Sequence, residues 1–151
     1  MNFKKVLTGG CFCLNLKADT KKGIIEEMVS MLLAADKIKD GAAALNAVLE
    51  RERKMSTGMQ CGVAIPHGKT NSVEDLVTVF AMKKEGIDFA ALDGKPSTIF
   101  VMTISPSNQT GPHMQYLSEI SKLLSNPTIR ERLLDAESEA EIVRILMNEQ
   151  G

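Results

Sequence analysis

The sequence has few aromatic residues, almost no net charge and no long apolar run. Aromatic residues make up 4% of the 151 residues, the formal net charge is −1, and no basic cluster is present. A nucleic-acid-binding protein is therefore not expected. No apolar stretch approaches the roughly 20 residues of a membrane span, and the apolar start of the chain is broken by Thr8-Gly9-Gly10 and followed by charged residues. We predict a cytoplasmic protein without membrane insertion.

Cysteine is also scarce, with three residues at Cys11, Cys13 and Cys61. An odd number argues against a disulfide framework, and a single C-x-C pair has too few ligands for a recognised metal site. Cys11 and Cys13 alternate with apolar neighbours, so both are predicted to be free thiols on one face of a strand.

The rest of the composition is that of an ordinary globular domain, with 44% apolar and 25% charged residues. Its length fits one domain over residues 1–151. Apolar patterning predicts strands at residues 12–16, 63–65, 76–82 and 97–104. It predicts helices that begin at Asp19 or Thr20, at Asp40, at Pro112, at Asn126 and after Ser138. This order predicts an α+β fold in which helices cover both faces of a mixed sheet.

The segment from Gly62 to Lys69 reads GVAIPHGK and is the most informative stretch of the sequence. β-forming residues lead into Pro66, which removes a backbone donor, so we predict a strand that stops there and presents the ring of His67. Gly68 is expected to let the backbone turn away and to leave space beside that ring. Because histidine changes its charge near neutral pH, a ring held in this way suits nucleophilic chemistry on a bulky group.

A second histidine, His113, is predicted in the first turn of a helix, on a stripe shared with Leu117, Ile120 and Leu124. Taken alone, this position suits a packed core histidine. Helix N-termini also offer free N–H groups and a partial positive charge, which hold anions. A pair of histidines that handles phosphate is therefore the functional interpretation.

Arg51 lies in the charged run ERERK at the end of the second helix, where a solvated charge cluster is the simpler interpretation. The functional interpretation is a guanidinium that meets an oxyanion, since arginine can bind phosphate through two parallel hydrogen bonds. Ser56 and Thr57 would then be short hydroxyl donors from the adjoining loop, although on their own they are ordinary loop residues.

Together these segments resemble the active-site signature of the enzyme IIA domains of the bacterial phosphoenolpyruvate-dependent phosphotransferase system. The type is the fructose–mannitol class, which includes the nitrogen-regulatory proteins. The resemblance rests on Arg51-Glu52, on Ser56-Thr57-Gly58 and on GVAIPHGK. Residues 87–96 (IDFAALDGKP) and 113–117 (HMQYL) are similar to two further stretches of that family, so the resemblance extends over nearly the whole chain.

The resemblance implies a three-layer α/β/α sandwich around a mixed sheet, and a phosphoryl carrier that uses neither cofactor nor metal. It implies that His67 accepts the phosphoryl group from the phosphocarrier protein HPr through Nε2. His113 would support the phosphorylated state, and Arg51 would approach the phosphoryl oxygens, with Ser56 and Thr57 in support. Gln60 stands where the family often has a loop glycine, and Met55 where a small residue is common.

Three roles remain open from the sequence. A nitrogen-regulatory protein is favoured because no IIB, IIC or HPr-like segment is attached, and a sugar-specific transport component that passes phosphate to a IIB cysteine is the alternative. A non-catalytic anion- or metal-binding module that uses His67, His113 and Cys61 belongs to another class. For a carrier, a modestly apolar rim is expected around the site for a transient protein partner, with Met59 and Met114 as candidates.

Overall fold

The computed structural model describes residues 2–148, which form helices and strands in a mixed order. The helices are α1 (Phe3–Thr8), α2 (Lys21–Ala34), α3 (Gly41–Lys54), α4 (Thr110–Leu124), α5 (Pro127–Asp135) and α6 (Glu139–Asn148). The strands are β1 (Cys11–Cys13), β2 (Val63–Ala64), β3 (His67–Lys69), β4 (Val77–Ile87) and β5 (Ser97–Ser105).

The strands form one mixed sheet in the order β1-β4-β5-β2, and β3 also pairs with β5. β4 and β5 are antiparallel and make up its centre, while β1 runs parallel to β4, and β2 and β3 run parallel to β5. β1 begins and ends earlier than residues 12–16. β4 extends beyond residue 82 as far as Ile87, after a register irregularity.

Helices cover both faces of this sheet, as predicted. Phe80 and Val101 point to a cluster that includes residues of α1, α4, α5 and α6, whereas Val79 and Met102 point to a cluster with α2 and α3. This alternation along β4 and β5 follows from the twofold period of a strand. The predicted three-layer arrangement around a mixed sheet is confirmed. Cys11 and Cys13 also share one face, toward α2 and α3, as expected.

Four helices begin where local sequence signals place them. Side-chain oxygens of Thr20, Asp40, Asn126 and Ser138 accept hydrogen bonds from backbone N–H groups two or three residues later, at 2.9 to 3.1 Å. These bonds satisfy donors that a helix leaves unpaired at its start. α4 begins at Thr110, two residues before the predicted Pro112.

The N-terminal helix α1 was not predicted. Asn2 caps it by accepting from Lys5 N at 3.1 Å, and Phe3 and Leu7, one turn apart, are both buried. The ring of Phe3 stacks on Tyr116 of α4 with centroids 5.5 Å apart. This packing holds the start of the described chain on the sheet face that carries α4. Within residues 2–148, no helix combines the length and the apolarity that crossing a membrane requires.

The expectation that the strand stops at Pro66 is only partly right. β2 ends at Ala64, but the chain pairs with β5 again at His67–Lys69, and the carbonyl of Pro66 accepts from Thr103 N at 3.1 Å. Proline removes one donor from the ladder and still offers its carbonyl, so pairing resumes after a single interruption.

The role expected for Gly68 was wrong. Gly68 lies inside β3 rather than at a turn, and its backbone does not adopt a positive φ. A Cβ on Gly68 would lie 2.9 Å from the backbone of Ala47 and Val48 in α3. Glycine is therefore needed there because α3 packs directly on the strand that carries His67, a contact that no other residue would allow without a shift of the helix backbone.

Candidate active site

His67 is held on β3 by a hydrogen bond that leaves one ring nitrogen free. Its Nδ1–H donates to the carbonyl oxygen of Ile65 at 2.8 Å, across Pro66. A carbonyl can only accept, so the proton lies on Nδ1 and Nε2 keeps its lone pair. The ring is half-buried, and β3 pairs His67 with Thr103 of β5 in the parallel register.

The surroundings keep His67 uncharged near neutral pH. Burial, which removes water from the ring, lowers its pKa below the ordinary 6.5, and the positive charges of Arg51 and Lys69 lower it further. The hydrogen bond to Ile65 and the charge of Glu52 act in the opposite direction and are weaker in total. An uncharged imidazole with a free Nε2 is the form that can act as a nucleophile.

His113 faces His67 from α4. The two ring centroids lie 5.4 Å apart with the ring planes tilted by 58°. His113 is 1% exposed, and its Nδ1 lies 2.6 Å from the hydroxyl oxygen of Ser105. Burial lowers its pKa to about 4, helped by the charges of His67 and Lys69, so it is also neutral near pH 7. Its own backbone N–H is not available to an anion, because it donates to Gln109 O at 3.0 Å.

The hydrogen bond to Ser105 determines which nitrogen of His113 carries the proton. Ser105 is fully buried, and within residues 2–148 its hydroxyl has one hydrogen-bond partner, the ring of His113. A buried hydroxyl proton needs an acceptor, so we infer that it is donated to Nδ1 and that Nε2 carries the hydrogen. His67 and His113 then have complementary forms, His67 with a lone pair at Nε2 and His113 with a hydrogen at Nε2.

Arg51 acts on His67 through its charge and also binds the backbone that follows α3. Its Nη1 donates to the carbonyl of Met55 at 2.8 Å, beyond the end of α3, and its charge is felt by His67. Arg53, two residues along the same helix, is exposed and pairs instead with Glu50. The charge of Arg51 therefore acts on His67, whose ring faces His113, whereas Arg53 pairs with Glu50 at the surface.

The hydroxyls of Ser56 and Thr57 donate to protein acceptors. Ser56 Oγ donates to the carbonyl of Phe89 at 2.8 Å, and Thr57 Oγ1 donates to a carboxylate oxygen of Glu52 at 2.5 Å. Each hydroxyl has a single proton to donate. In this conformation these residues shape the loop, and their direct contact with a phosphoryl group stays a prediction.

A buried ion pair below this loop was missed by the sequence reasoning. Glu52 accepts from Thr57 N at 2.8 Å and pairs with Lys21 Nζ of α2 at 2.7 Å, while the same ammonium lies 4.8 Å from the ring centre of Phe89. In the sequence Glu52 belongs to a charge run that looks solvated. Only the packing of α2 against α3 reveals its partner, 31 residues earlier in the chain.

Two segments of the sequence motif, residues 58–61 and 92–93, lock together through hydrogen bonds. Leu92 N donates to Gly58 O at 3.1 Å, and Cys61 N donates to Asp93 at 3.1 Å. A Cβ on Gly58 would lie 2.9 Å from the backbone of Ala91, so this approach requires glycine. Gln60 is exposed and its φ is not positive, so the departure from glycine there strains nothing.

Large apolar side chains are exposed after the end of α3, on the two locked segments and near the start of α4. Leu92 and three methionines, Met55, Met59 and Met114, are among the exposed large apolar residues of the described chain. Met55 follows α3, Met59 and Leu92 lie on the two locked segments, and Met114 is next to His113. Among residues 2–148, no group of three or more His, Cys, Asp or Glu side chains is arranged to hold a metal ion.

Comparison with known proteins gives consistent matches. A family model described as "Phosphoenolpyruvate-dependent sugar phosphotransferase system, EIIA 2" matches residues 5–149. The chain is 40% identical over 127 residues to the PTS system fructose-specific EIIA component of Haloferax volcanii, covering 84% of this chain and 82% of that protein. It is 38% identical over 146 residues to the PTS system fructose-specific EIIABC component of Bacillus subtilis, covering 97% of this chain but 23% of that longer protein.

A solved structure agrees with the sequence comparisons. The crystal structure of the nitrogen regulatory protein IIA-Ntr from Neisseria meningitidis matches with a TM-score of 0.86 and 31% sequence identity. The match covers 95% of this chain and 97% of that chain.

Proposed function

Because the chain belongs to the family of the phosphoenolpyruvate-dependent sugar phosphotransferase system, EIIA 2, we propose that His67 carries a phosphoryl group received from a phosphorylated HPr-type carrier protein. The resemblance drawn from the sequence is confirmed at the level of the family. The observation that carries the proposal is the hydrogen bond from His67 Nδ1 to Ile65 O, which holds the ring with Nε2 free in a neutral form.

The electron pairs and the proton of the transfer step are accounted for without a cofactor. The lone pair of His67 Nε2 attacks phosphorus, the bond between phosphorus and the donor's histidine nitrogen breaks, and that nitrogen regains the electron pair. Nδ1 keeps its proton because it remains bonded to Ile65 O. Such a transfer needs alignment and compensation of phosphoryl charge rather than covalent help from the protein. Arg51 supplies positive charge, and His113 supplies a neutral N–H donor that is held by Ser105.

A protein donor fits the surface around the pair. We propose that the exposed side chains of Met55, Met59, Leu92 and Met114 act as an apolar rim for a docked protein, since methionine adapts well to transient partners. A docked carrier would cover this rim and exclude water from the phosphoryl group while it moves. A cytoplasmic location, where such carriers work, belongs to the same proposal.

We place the protein in the nitrogen-regulatory branch, supported by the likeness to IIA-Ntr over nearly all of both chains. A fructose-type transport component that passes phosphate to a IIB cysteine is the second candidate, supported by the 40% identity to a fructose-specific EIIA component. Offering the phosphorylated protein to a purified fructose-type IIB domain separates the two. Rapid transfer to the IIB cysteine supports transport, and its failure supports regulation.

The central proposal is tested by incubating the protein with phosphoenolpyruvate, enzyme I and HPr, and then measuring its mass. The wild type should gain one acid-labile phosphoryl group, and His67→Ala should keep its circular dichroism spectrum and gain none. His113→Ala serves as the comparison and should still be phosphorylated on His67. Phosphorylation of His67→Ala at the wild-type rate would refute the assignment.

A further inference from the structure

Lys69 of β3 connects the strand that carries His67 to the start of α4, the helix that carries His113. It follows His67 by two residues on β3, so the two side chains point to the same face of the sheet. Its Nζ donates to Thr110 Oγ1 at 2.9 Å, at the first residue of α4. β3 also pairs Lys69 with Ser105, the residue that holds the His113 ring.

The charge of Lys69 acts on both members of the histidine pair. It lowers the pKa of His67 and the pKa of His113, whereas Arg51 contributes only to the shift of His67. A cation that disfavours the protonated form of two neighbouring imidazoles becomes favourable once an anion lies between them. Arg51 on α3 and Lys69 on β3 thus supply positive charge to His67 from two different elements.

We propose that Lys69 is a ligand of the phosphoryl group on His67, with its ammonium moving from Thr110 Oγ1 to a phosphoryl oxygen. The proposal rests on the function proposed above and adds a residue to it. Residues two apart on a strand are roughly 7 Å apart, about the length of an extended lysine side chain, so the ammonium can span the distance. No proton leaves Lys69, which donates hydrogen bonds to the phosphoryl oxygens while the bond to Nε2 forms as described above.

A purely structural role makes a different prediction. If the bond between Lys69 and Thr110 only fastens β3 to the start of α4, removing either partner should have the same effect. If Lys69 instead binds the phosphoryl group, Thr110 is a resting position, and Thr110→Val should leave transfer almost unchanged. Lys54 at the end of α3 is an exposed lysine, so Lys54→Met is the matched control for the loss of one charge.

The experiment measures single-turnover transfer from saturating phosphorylated HPr to the wild type, Lys69→Met, Lys69→Arg, Thr110→Val and Lys54→Met. Lys69→Met should be slower on the order of 100-fold, and Lys69→Arg should recover most of this loss. Thr110→Val and Lys54→Met should stay within about threefold of the wild type. Phosphorus NMR should show a higher pKa for the phosphoryl group on His67 in Lys69→Met, because a neighbouring cation is gone.

Two results would overturn the inference. One is a wild-type transfer rate together with an unchanged phosphorus titration in Lys69→Met. The other is an equal loss in Thr110→Val and Lys69→Met. Both are distinct from failure of the proposed function, in which the wild-type protein itself would gain no phosphoryl group on His67.

Discussion

The buried neutral histidine of the pair should make folding stability depend on pH in a defined direction. Burial lowers the pKa of His113 from 6.5 to about 4, with further contributions from the charges of His67 and Lys69. In the unfolded chain the ring takes up a proton near its ordinary pKa, whereas the folded protein resists protonation until the pH is much lower. The unfolded state therefore binds more protons between these two values, and acid favours unfolding.

The size of this effect follows from the two pKa values. The stability is fully present above the unfolded value of 6.5, is lost as the pH falls toward about 4, and changes no further below it. The whole difference between the two pKa values corresponds to about 3 kcal/mol of folding free energy, at about 1.4 kcal/mol for each tenfold change in proton affinity. Between about pH 7.5 and about pH 5, the expected loss from His113 alone is about 2 kcal/mol.

Urea unfolding of the wild type and of His113→Gln at a series of pH values measures the contribution of His113 to the pH dependence of stability. From about pH 7.5 to about pH 5, the free energy of unfolding of the wild type should fall by about 2 kcal/mol more than that of His113→Gln. Glutamine can still accept a hydrogen bond from Ser105 but cannot titrate. Contributions from groups far from His113 largely cancel in the difference. A difference that does not change with pH, or an NMR titration of His113 near 6.5, would refute the reasoning.

Two further predictions concern α3. Arg51→Ala and Arg51→Lys should both slow single-turnover transfer from phosphorylated HPr, by roughly tenfold to a thousandfold, because one charge-assisted contact is lost. Arg53→Ala should match the wild type, and equal rates in all variants would remove Arg51 from the site. Glu52→Gln should lower the free energy of unfolding in urea by about 2 kcal/mol, because it breaks a largely buried ion pair. Glu50→Gln, in an exposed pair on the same helix, should cost less than about 0.5 kcal/mol, and a small cost in both variants would contradict the importance given to burial.

The candidate site could be proposed from the sequence because its central residues lie in a short segment with a specific order. Pro66-His67-Gly68 pointed to His67, and the helix stripe through His113 placed that residue on a buried face. The expected ladder break at Pro66 was overstated because the proline carbonyl still accepts from Thr103. Gly68 was assigned a turn because its real constraint, the backbone of α3, is distant in sequence.

The sequence by itself determined the features that depend on neighbours within a few residues. Thr20, Asp40, Asn126 and Ser138 start helices because each side chain reaches a backbone donor two or three positions away. The continuous apolar runs at residues 79–82 and 99–102 likewise determined that β4 and β5 would each bury two faces, since successive side chains of a strand point to opposite faces.

Only the tertiary structure decided which polar groups meet. Ser105 reaches His113 because β5 lies against α4, and Glu52 finds Lys21 because α2 packs on α3. Lys69 reaches Thr110 across 41 residues of sequence. Such contacts depend on strand order and helix packing, which arise from burying apolar surface over the whole chain. The candidate histidine could therefore be found from its local sequence, whereas the position of its proton, its charge state and the cations near it follow from the fold.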